Sequence, residues 1–210
     1  MCTTTDSQDE EVDKFLTSGA VTVTRSYRQR LSRGKLAVSM SHLRLWKRIV
    51  KEHIPLARIL EDDVKVLDGF PETLACILSE VPEDHHFVYL YSHPRHCHPN
   101  RPDNHLPGKQ YVMGYSYTCS RLAYVVNTEG ARRLIAYFRT LFDHGDVMIN
   151  RAIESGLLHR YMSPKVLVHN LGQLTKSYDN EVPPSNIWPV PTCLSIMRRR
   201  LRELYEDVRK

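Results

Sequence analysis

The chain has 210 residues, of which 41% are hydrophobic and 25% are charged, and its formal net charge is +5. This length and composition predict one soluble globular domain with a sizeable core. They argue against a membrane-spanning protein, because no apolar run approaches the roughly 20 residues that cross a bilayer. The five widely spaced cysteines argue against a disulfide scaffold. The positive charge favours an anionic partner, such as a nucleotide diphosphate, an acidic membrane surface or a nucleic acid.

Strand and helix patterns alternate along the sequence. Residues 1–14 are polar and acidic, and we expect them to be disordered. A helix is predicted from Ser41, with Ser39 or Ser41 as its N-cap, and another is predicted after a cap at Thr128. The predicted strands are 20–24, 56–60, 87–91, 122–126 and 165–169, and the other predicted helices are 71–78, 129–142, 146–155 and 193–209.

This alternation predicts an α/β fold with a mainly parallel sheet flanked by helices. Residues 1–192 form the predicted domain, and residues 193–210 form a separate basic amphipathic helix. The basic run in that helix favours a solvated face, with contact to an anionic membrane surface as the alternative. The polar N-terminus does not resemble a secretory signal, so we expect a cytoplasmic protein, in peripheral contact with a membrane if that helix binds one.

Three consecutive carboxylates, Glu61, Asp62 and Asp63, follow the predicted strand 56–60. In open α/β sheets, ligands bind beyond the carboxyl ends of the strands. Strand alternation would direct Glu61 and Asp63 to the ligand and turn Asp62 toward the protein. Mg²⁺ and Mn²⁺ typically take one or two carboxylates together with substrate phosphates, and clustered negative charge is costly unless a cation compensates it. The triplet therefore predicts a divalent metal site, and the alternative is a solvated turn.

Three blocks of sequence resemble glycosyltransferase family 25, which includes lipooligosaccharide and collagen galactosyltransferases. The first block is a glycine, an SH-x-x-x-W helix and an apolar strand that ends in three acids. The second has a tyrosine, an apolar strand and a GA-x-R-L helix, and the third has an aspartate, a helix and a Tyr…Pro pair. The matching residues outside the triplet are Gly34, Ser41, His42, Trp46, Tyr117, Ala123, Tyr124, Gly130, Ala131, Arg133, Asp146, Tyr161 and Pro164.

The resemblance implies a GT-A fold and an inverting transfer of a hexose, such as galactose or glucose. The donor would be a UDP-sugar, and the cofactor Mn²⁺ (or Mg²⁺). The acceptor would be a hydroxyl of a glycan, of a glycoprotein such as one carrying hydroxylysine, or of a lipid-linked sugar. Asp63 and Glu61 would bind the metal, with His169 as a third ligand. Glu61, Asp62 and Tyr117 would also contact the donor.

Two further sites follow from this interpretation. Ser41 and His42 are expected to offer backbone N–H groups and an imidazole to the donor phosphates at a helix start, with capping and burial as the alternative. Asp146 is the expected base for the acceptor hydroxyl, with Asp143 as its competitor and an N-cap as its plain structural role. Trp46 is expected in the core rather than as a platform for a sugar.

Some features point elsewhere. The family's usual opening strand is not recognisable before Gly34, since Arg25–Arg28 resembles it only faintly, and Lys35 stands where the family often has glutamate. A catalytically degenerate member that acts as a binding or scaffold protein is therefore the alternative function. The histidines near Cys97 lack the spacing of a zinc site, so the segment 92–108 is predicted to be an acceptor-side loop. We expect no nucleic-acid partner, because no basic, aromatic-interleaved strand or helix-turn-helix pattern is present.

Overall fold

The computed structural model of the protein describes residues 9–29, 31–91, 106–114 and 120–171. These residues form two compact units. The helical unit contains the described residues up to 55 together with 127–159, and the sheet unit contains those of 56–126 together with 160–171. The predicted helix 193–209 lies outside the described residues.

Helices and short strands alternate within the described residues, as the sequence predicts. The helices are α1 (Asp9–Thr17), α2 (Arg25–Arg28), α3 (Arg33–Lys51), α4 (Phe70–Glu80), α5 (Thr128–Tyr137) and α6 (Gly145–Glu154). The strands are β1 (Thr22–Val23), β2 (Leu56–Leu60), β3 (Val64–Val66), β4 (Phe87–Tyr89), β5 (Ala123–Asn127), β6 (Thr140–Leu141), β7 (Arg160–Met162) and β8 (Val168–Asn170). The expectation of disorder over residues 1–14 is wrong for residues 9–14, which belong to α1. No helix in this part of the chain is long and apolar enough to cross a membrane.

The helical unit is built around α3, which packs against α5 and α1. Trp46 is fully buried, and its ring meets that of Phe138 edge-on, with 4.9 Å between the ring centroids. The short strands β1 and β6 pair in parallel beside these helices. This packing confirms that Trp46 belongs to the core.

The start of α3 differs from the predicted start at Ser41. The helix begins at Arg33, and the side chain of Ser32 caps it by accepting a hydrogen bond from the backbone N–H of Lys35 at 3.3 Å. Ser39 and Ser41 lie inside the helix, where their hydroxyls bond to the carbonyls of the fourth residues before them. The sequence prediction missed the first two turns, although Leu36, Ala37 and Met40 carry buried apolar side chains in them.

The boundaries of α5 and α6 show similar small shifts. The cap of α5 is Asn127, whose side chain accepts from the N–H of Gly130 at 2.7 Å, so the predicted cap at Thr128 is off by one residue. The predicted helix 129–142 ends early, at Tyr137, and its last residues form β6 instead. The predicted stop of α6 at Gly156 is confirmed, since Gly156 follows the helix with a φ of 76°.

The sheet unit contains a four-stranded sheet in the order β2-β5-β4-β7. Strand β4 runs antiparallel to β5 and parallel to β7. A separate antiparallel pair joins β3 to β8. The α/β class is therefore confirmed, but the pairings are mixed rather than mainly parallel. The GT-A type of the fold stays a prediction.

One hydrophobic core lies inside the sheet unit. Helix α4 contributes Phe70, Leu74 and Ile77, which pack with apolar side chains of β4, β5 and β8. Both strands in the middle of the sheet are buried on each side, and this explains their continuous apolar sequences. The core holds the end of β2 and the start of β3, between which the carboxylate triplet lies.

Two glycines give a matched stability test. A methyl group at Gly156 would meet no atom within 4 Å, so Gly156→Ala is opposed only by the positive φ and should destabilise the fold by roughly 1 kcal/mol. Gly34 lies in the first turn of α3 with equal space around it, so Gly34→Ala should stabilise the fold by roughly 0.5 kcal/mol. Urea unfolding of both variants checks this pair, and equal effects would contradict the assigned backbone conformations.

Candidate functional site

The carboxylate triplet forms the turn between β2 and β3. The backbone N–H of Glu61 donates to the carbonyl of Leu122 at 2.9 Å, which fixes the end of β2 beside the start of β5. The backbone N–H of Leu171 donates to the carbonyl of Asp63 at 2.8 Å, which fixes the turn beside the end of β8. The predicted position directly after a strand is confirmed, but that strand is mostly half-buried, with only Ile59 buried. The triplet is held by segments that lie far away in the sequence.

The three side chains of the triplet differ in exposure. Glu61 and Asp63 are half-buried, whereas Asp62 is exposed. The prediction that Asp62 turns toward the protein is therefore wrong. Strand alternation does not apply to it, because β2 ends at Leu60 and the backbone turns at Asp62.

Asp63 carries the clearest electrostatic signal in this turn. Its Oδ1 atom is buried and accepts no hydrogen bond from the described residues. Burial raises the pKa of the Asp63 carboxyl, and the charges of Glu61 and Asp62 raise it further. A hydrogen bond from its own backbone N–H lowers the pKa and offsets part of this rise. A buried carboxylate oxygen without a donor costs free energy unless a cation or a ligand satisfies it. The residues present therefore fit a hard divalent cation, which prefers oxygen ligands.

His169 lies in β8, near this turn, but its partner in the strand register is not a residue of the triplet. In the antiparallel pair of β3 and β8 it is opposite Lys65, while Asp63 is next to Leu171. Among the described residues, no three His, Cys, Asp or Glu side chains form a group that could hold a metal ion. The assignment of His169 as third ligand stays a prediction. A cation that binds through one or two carboxylates and substrate phosphates does not need it.

Ser41 and His42 do not lie at a helix start. They are in the third turn of α3, and the hydroxyl of Ser41 donates to the carbonyl of Ala37 at 3.1 Å. His42 is buried, with its ring 5.9 Å from the ring of Trp46. In mid-helix the backbone N–H groups are used by the helix itself, so the predicted offer of backbone N–H groups at a helix start is wrong. Contact of the Ser41 and His42 side chains with the donor stays a prediction. The SH-x-x-x-W pattern marks a packed helix face.

Asp146 is the second residue of α6 and is half-buried. The N-cap position belongs to His144, so the N-cap role considered for Asp146 is wrong. The carboxylate of the competitor Asp143 accepts the backbone N–H of His144 at its Oδ1 atom, at 2.8 Å, and its Oδ2 atom lies 3.6 Å from Arg151.

The predicted site residues are divided between the two units. Asp146 and α3 belong to the helical unit, whereas the triplet and His169 belong to the sheet unit.

Several predicted site residues lie outside the described residues. They are Tyr117, predicted to contact the donor, and the residues of the loop for which the sequence argued against a zinc site, namely Cys97 and the histidines at 93, 96, 98 and 105. Of the remaining histidines in that group, His85 has its Nδ1 atom 2.8 Å from the carbonyl of Pro82, and His86 is buried. Both lie in the segment directly before β4.

Sequence reasoning missed two features near the predicted sites. Arg121 is a buried arginine two residues before the start of β5, adjacent in sequence to Leu122, whose carbonyl accepts from the backbone N–H of Glu61. A charge at the start of an apolar strand was the available signal. The second feature is a contact of His144 with Tyr27 and Lys35, and no sequence pattern indicates it.

Comparison with known proteins gives the family. The model of the family described as glycosyltransferase family 25 (LPS biosynthesis protein) matches residues 5–149. This chain belongs to glycosyltransferase family 25. The match begins well before Gly34, so the family resemblance includes the N-terminal segment that the sequence motifs had left out. It ends at residue 149, within α6.

Individual relatives are similar over half of this chain. Procollagen galactosyltransferase 1-B of Xenopus laevis is 26% identical over 108 residues, and procollagen galactosyltransferase 2 of Homo sapiens is 23% identical over 108 residues. A protein named probable inactive glycosyltransferase 25 family member 3, of Rattus norvegicus, is 29% identical over 109 residues. These matches span 50% of this chain but only 17% or 18% of the relatives.

Proposed function

We propose that this chain is a metal-dependent inverting hexosyltransferase that uses a UDP-sugar as donor. The acceptor is a hydroxyl of a glycan, a glycoprotein or a lipid-linked sugar. The observation that carries the proposal is the buried Asp63 oxygen, which lacks a hydrogen-bond donor among the described residues of a family 25 chain. The named galactosyltransferases among its relatives favour galactose as the hexose.

In this proposal, Asp63 and Glu61 hold Mn²⁺, with His169 as a further ligand. The cation would neutralise the charge that develops on the leaving diphosphate. Asp62, which is exposed beside them, and Tyr117 contact the donor.

Asp146 accepts the proton of the acceptor hydroxyl in this proposal. The acceptor oxygen forms a bond to the anomeric carbon from the face opposite the diphosphate. The bond from that carbon to the diphosphate oxygen breaks, and UDP leaves with the bonding electrons. Asp146 is proposed because it stands where the family resemblance implies the base. The carboxylate of its competitor Asp143 is bonded to the backbone N–H of His144 and lies 3.6 Å from Arg151.

The replacement Asp146→Asn separates binding from chemistry. We expect kcat to fall roughly a hundredfold or more, because positioned general bases contribute about 10²–10⁴-fold. The Kd for the UDP-sugar with Mn²⁺, measured by calorimetry, should stay within about twofold. Asp143→Asn is the matched control and should change kcat much less. Equal losses in the two variants would contradict the role of Asp146.

The second candidate function is a non-catalytic binding or scaffold protein. It is favoured by the rat relative whose name describes it as probably inactive, which is 29% identical to this chain. A panel of UDP-sugars with Mn²⁺, scored by thermal shift and then by transfer to several acceptors, distinguishes the two functions. Donor binding with no transfer or hydrolysis would support the scaffold. Failure of every UDP-sugar, and of UDP itself, to bind at millimolar concentration would remove both.

A further inference from the structure

A three-residue cluster lies at the start of α6. The Nδ1 atom of His144 is 3.2 Å from the hydroxyl of Tyr27, and its Nε2 atom is 3.2 Å from the ammonium of Lys35. The Tyr27 ring also meets the His144 ring edge-on, at 5.7 Å between centroids. Tyr27 is buried in α2, and Lys35 belongs to the first turn of α3. One imidazole thus joins three helices of the same unit.

The chemistry of these contacts allows only one form of the imidazole. An ammonium group only donates hydrogen bonds, so the Nε2 atom of His144 must accept from Lys35. The proton of a neutral imidazole then sits on Nδ1 and is donated to the Tyr27 oxygen. The opposite tautomer, or a doubly protonated ring, would point an N–H at the Lys35 ammonium. We infer that Lys35 and Tyr27 hold His144 as the neutral Nδ1–H tautomer, and that this cluster positions the start of α6 and, with it, Asp146.

The backbone around His144 explains how the cluster acts on the helix. His144 is the N-cap of α6, yet its side chain makes no capping bond and points to Tyr27 and Lys35 instead. Its backbone N–H is fixed by Asp143, and its carbonyl accepts the first helical bond, from Met148 at 2.9 Å. The side chain therefore ties the first turn of α6 to α2 and α3. Asp146 lies in that turn, two residues on.

The functional part of this inference rests on the proposed role of Asp146 as base. His144 is then a positioning residue, because it acts on the geometry of Asp146 without touching the substrate. A base must sit within hydrogen-bond reach of the proton that it takes, so a loose first turn lowers kcat more than it lowers donor binding. The inference about the tautomer of His144 holds whether or not the protein transfers a sugar.

The tautomer is tested on ¹⁵N-labelled full-length protein by NMR, using the long-range couplings between the imidazole nitrogens and the ring protons. The signals of His144 are assigned as those that disappear in the variant His144→Gln. We expect Nδ1 to be protonated and Nε2 to be an acceptor near neutral pH. Lys35→Glu replaces a donor with an acceptor and should move the proton to Nε2. Lys47→Glu, at another exposed lysine of α3, is the matched control and should leave the His144 signals unchanged. A wild-type Nε2–H tautomer or imidazolium, or no change in Lys35→Glu, would overturn the inference.

Positioning is tested by amide hydrogen exchange, which needs no substrate. In His144→Ala, and to a lesser degree in Tyr27→Phe, protection of the Met148 amide should fall roughly three- to tenfold for each hydrogen bond lost. The Ser155 amide, bonded to the Arg151 carbonyl at the other end of α6, should change little. Unchanged Met148 exchange in both variants would end the positioning claim. If exchange responds while the wild type transfers no sugar, the proposed function fails and the cluster stands.

Discussion

Replacing Asp63 with asparagine is expected to remove Mn²⁺-dependent binding of a UDP-sugar. The carboxylate supplies the charge that holds the cation, and an amide of the same shape cannot replace it. We expect donor affinity in the presence of Mn²⁺ to fall roughly a hundredfold or more, since even residues behind the ligands contribute about 10–100-fold to metal affinity. Calorimetry with UDP and Mn²⁺ measures this, and Asp68→Asn, at an exposed aspartate after β3, is the matched control.

The same replacement should stabilise the ligand-free protein at neutral pH. Burial and Glu61 raise the pKa of Asp63 in the folded state, so the folded protein binds this proton more tightly than the unfolded chain does. The wild type therefore loses stability as pH rises from the ordinary aspartate range through the raised folded pKa. Asparagine has no proton to lose. The advantage of the variant should be absent at low pH and complete at neutral pH.

Urea unfolding across that pH range checks the sign. The advantage should be small, because the Asp63 side chain is only partly buried and water screens its charge. A variant that binds the donor normally would contradict the metal site. A variant that loses binding and stability together at neutral pH would indicate that Asp63 holds the fold rather than a cation.

Replacing Trp46 with alanine is expected to destabilise the fold by about 3–5 kcal/mol, the range for large aromatic residues cut back in a core. The side chain of Trp46, in α3, is fully buried and packs against Phe138 at the end of α5. The loss combines buried apolar area with the cavity that the smaller side chain leaves. Urea unfolding followed by circular dichroism measures the change.

Two variants serve as controls for Trp46. Trp46→Phe keeps an aromatic ring opposite Phe138 and should cost less than the alanine variant. Tyr137→Ala removes a half-buried ring beside the same Phe138, at 6.4 Å between centroids, and should also cost less. If Trp46→Ala left stability unchanged but weakened sugar binding, Trp46 would be a platform for the ligand and its place in the core would be wrong.

Local patterns were enough to place most elements of the sheet unit. Strand β2 and helix α4 lie close to their predicted positions, since a short segment with four apolar residues in five and an amphipathic face are visible in the sequence itself. Helix starts were harder to predict. Several serine and threonine residues near α3 and α5 could act as caps, and only the folded backbone selects Ser32 and Asn127.

The sequence by itself determined that three carboxylates follow a strand, and its motifs identified the family that the comparison confirmed. It misplaced Ser41 and His42, because residues in a helix middle and at a helix start can show the same side-chain pattern. It also had no means of separating Asp62 from Asp63 by burial.

Only the tertiary structure decided these points. The turn at Asp63 is fixed by Leu171, and the imidazole of His144 meets a tyrosine 117 positions earlier in the chain. Burial and tautomer are properties of such distant contacts, and local periodicity carries no information about them. For that reason the sequence predicted a cation at Glu61 and Asp63, while only the structure shows that the Oδ1 atom of Asp63 is buried without a hydrogen-bond partner among the described residues.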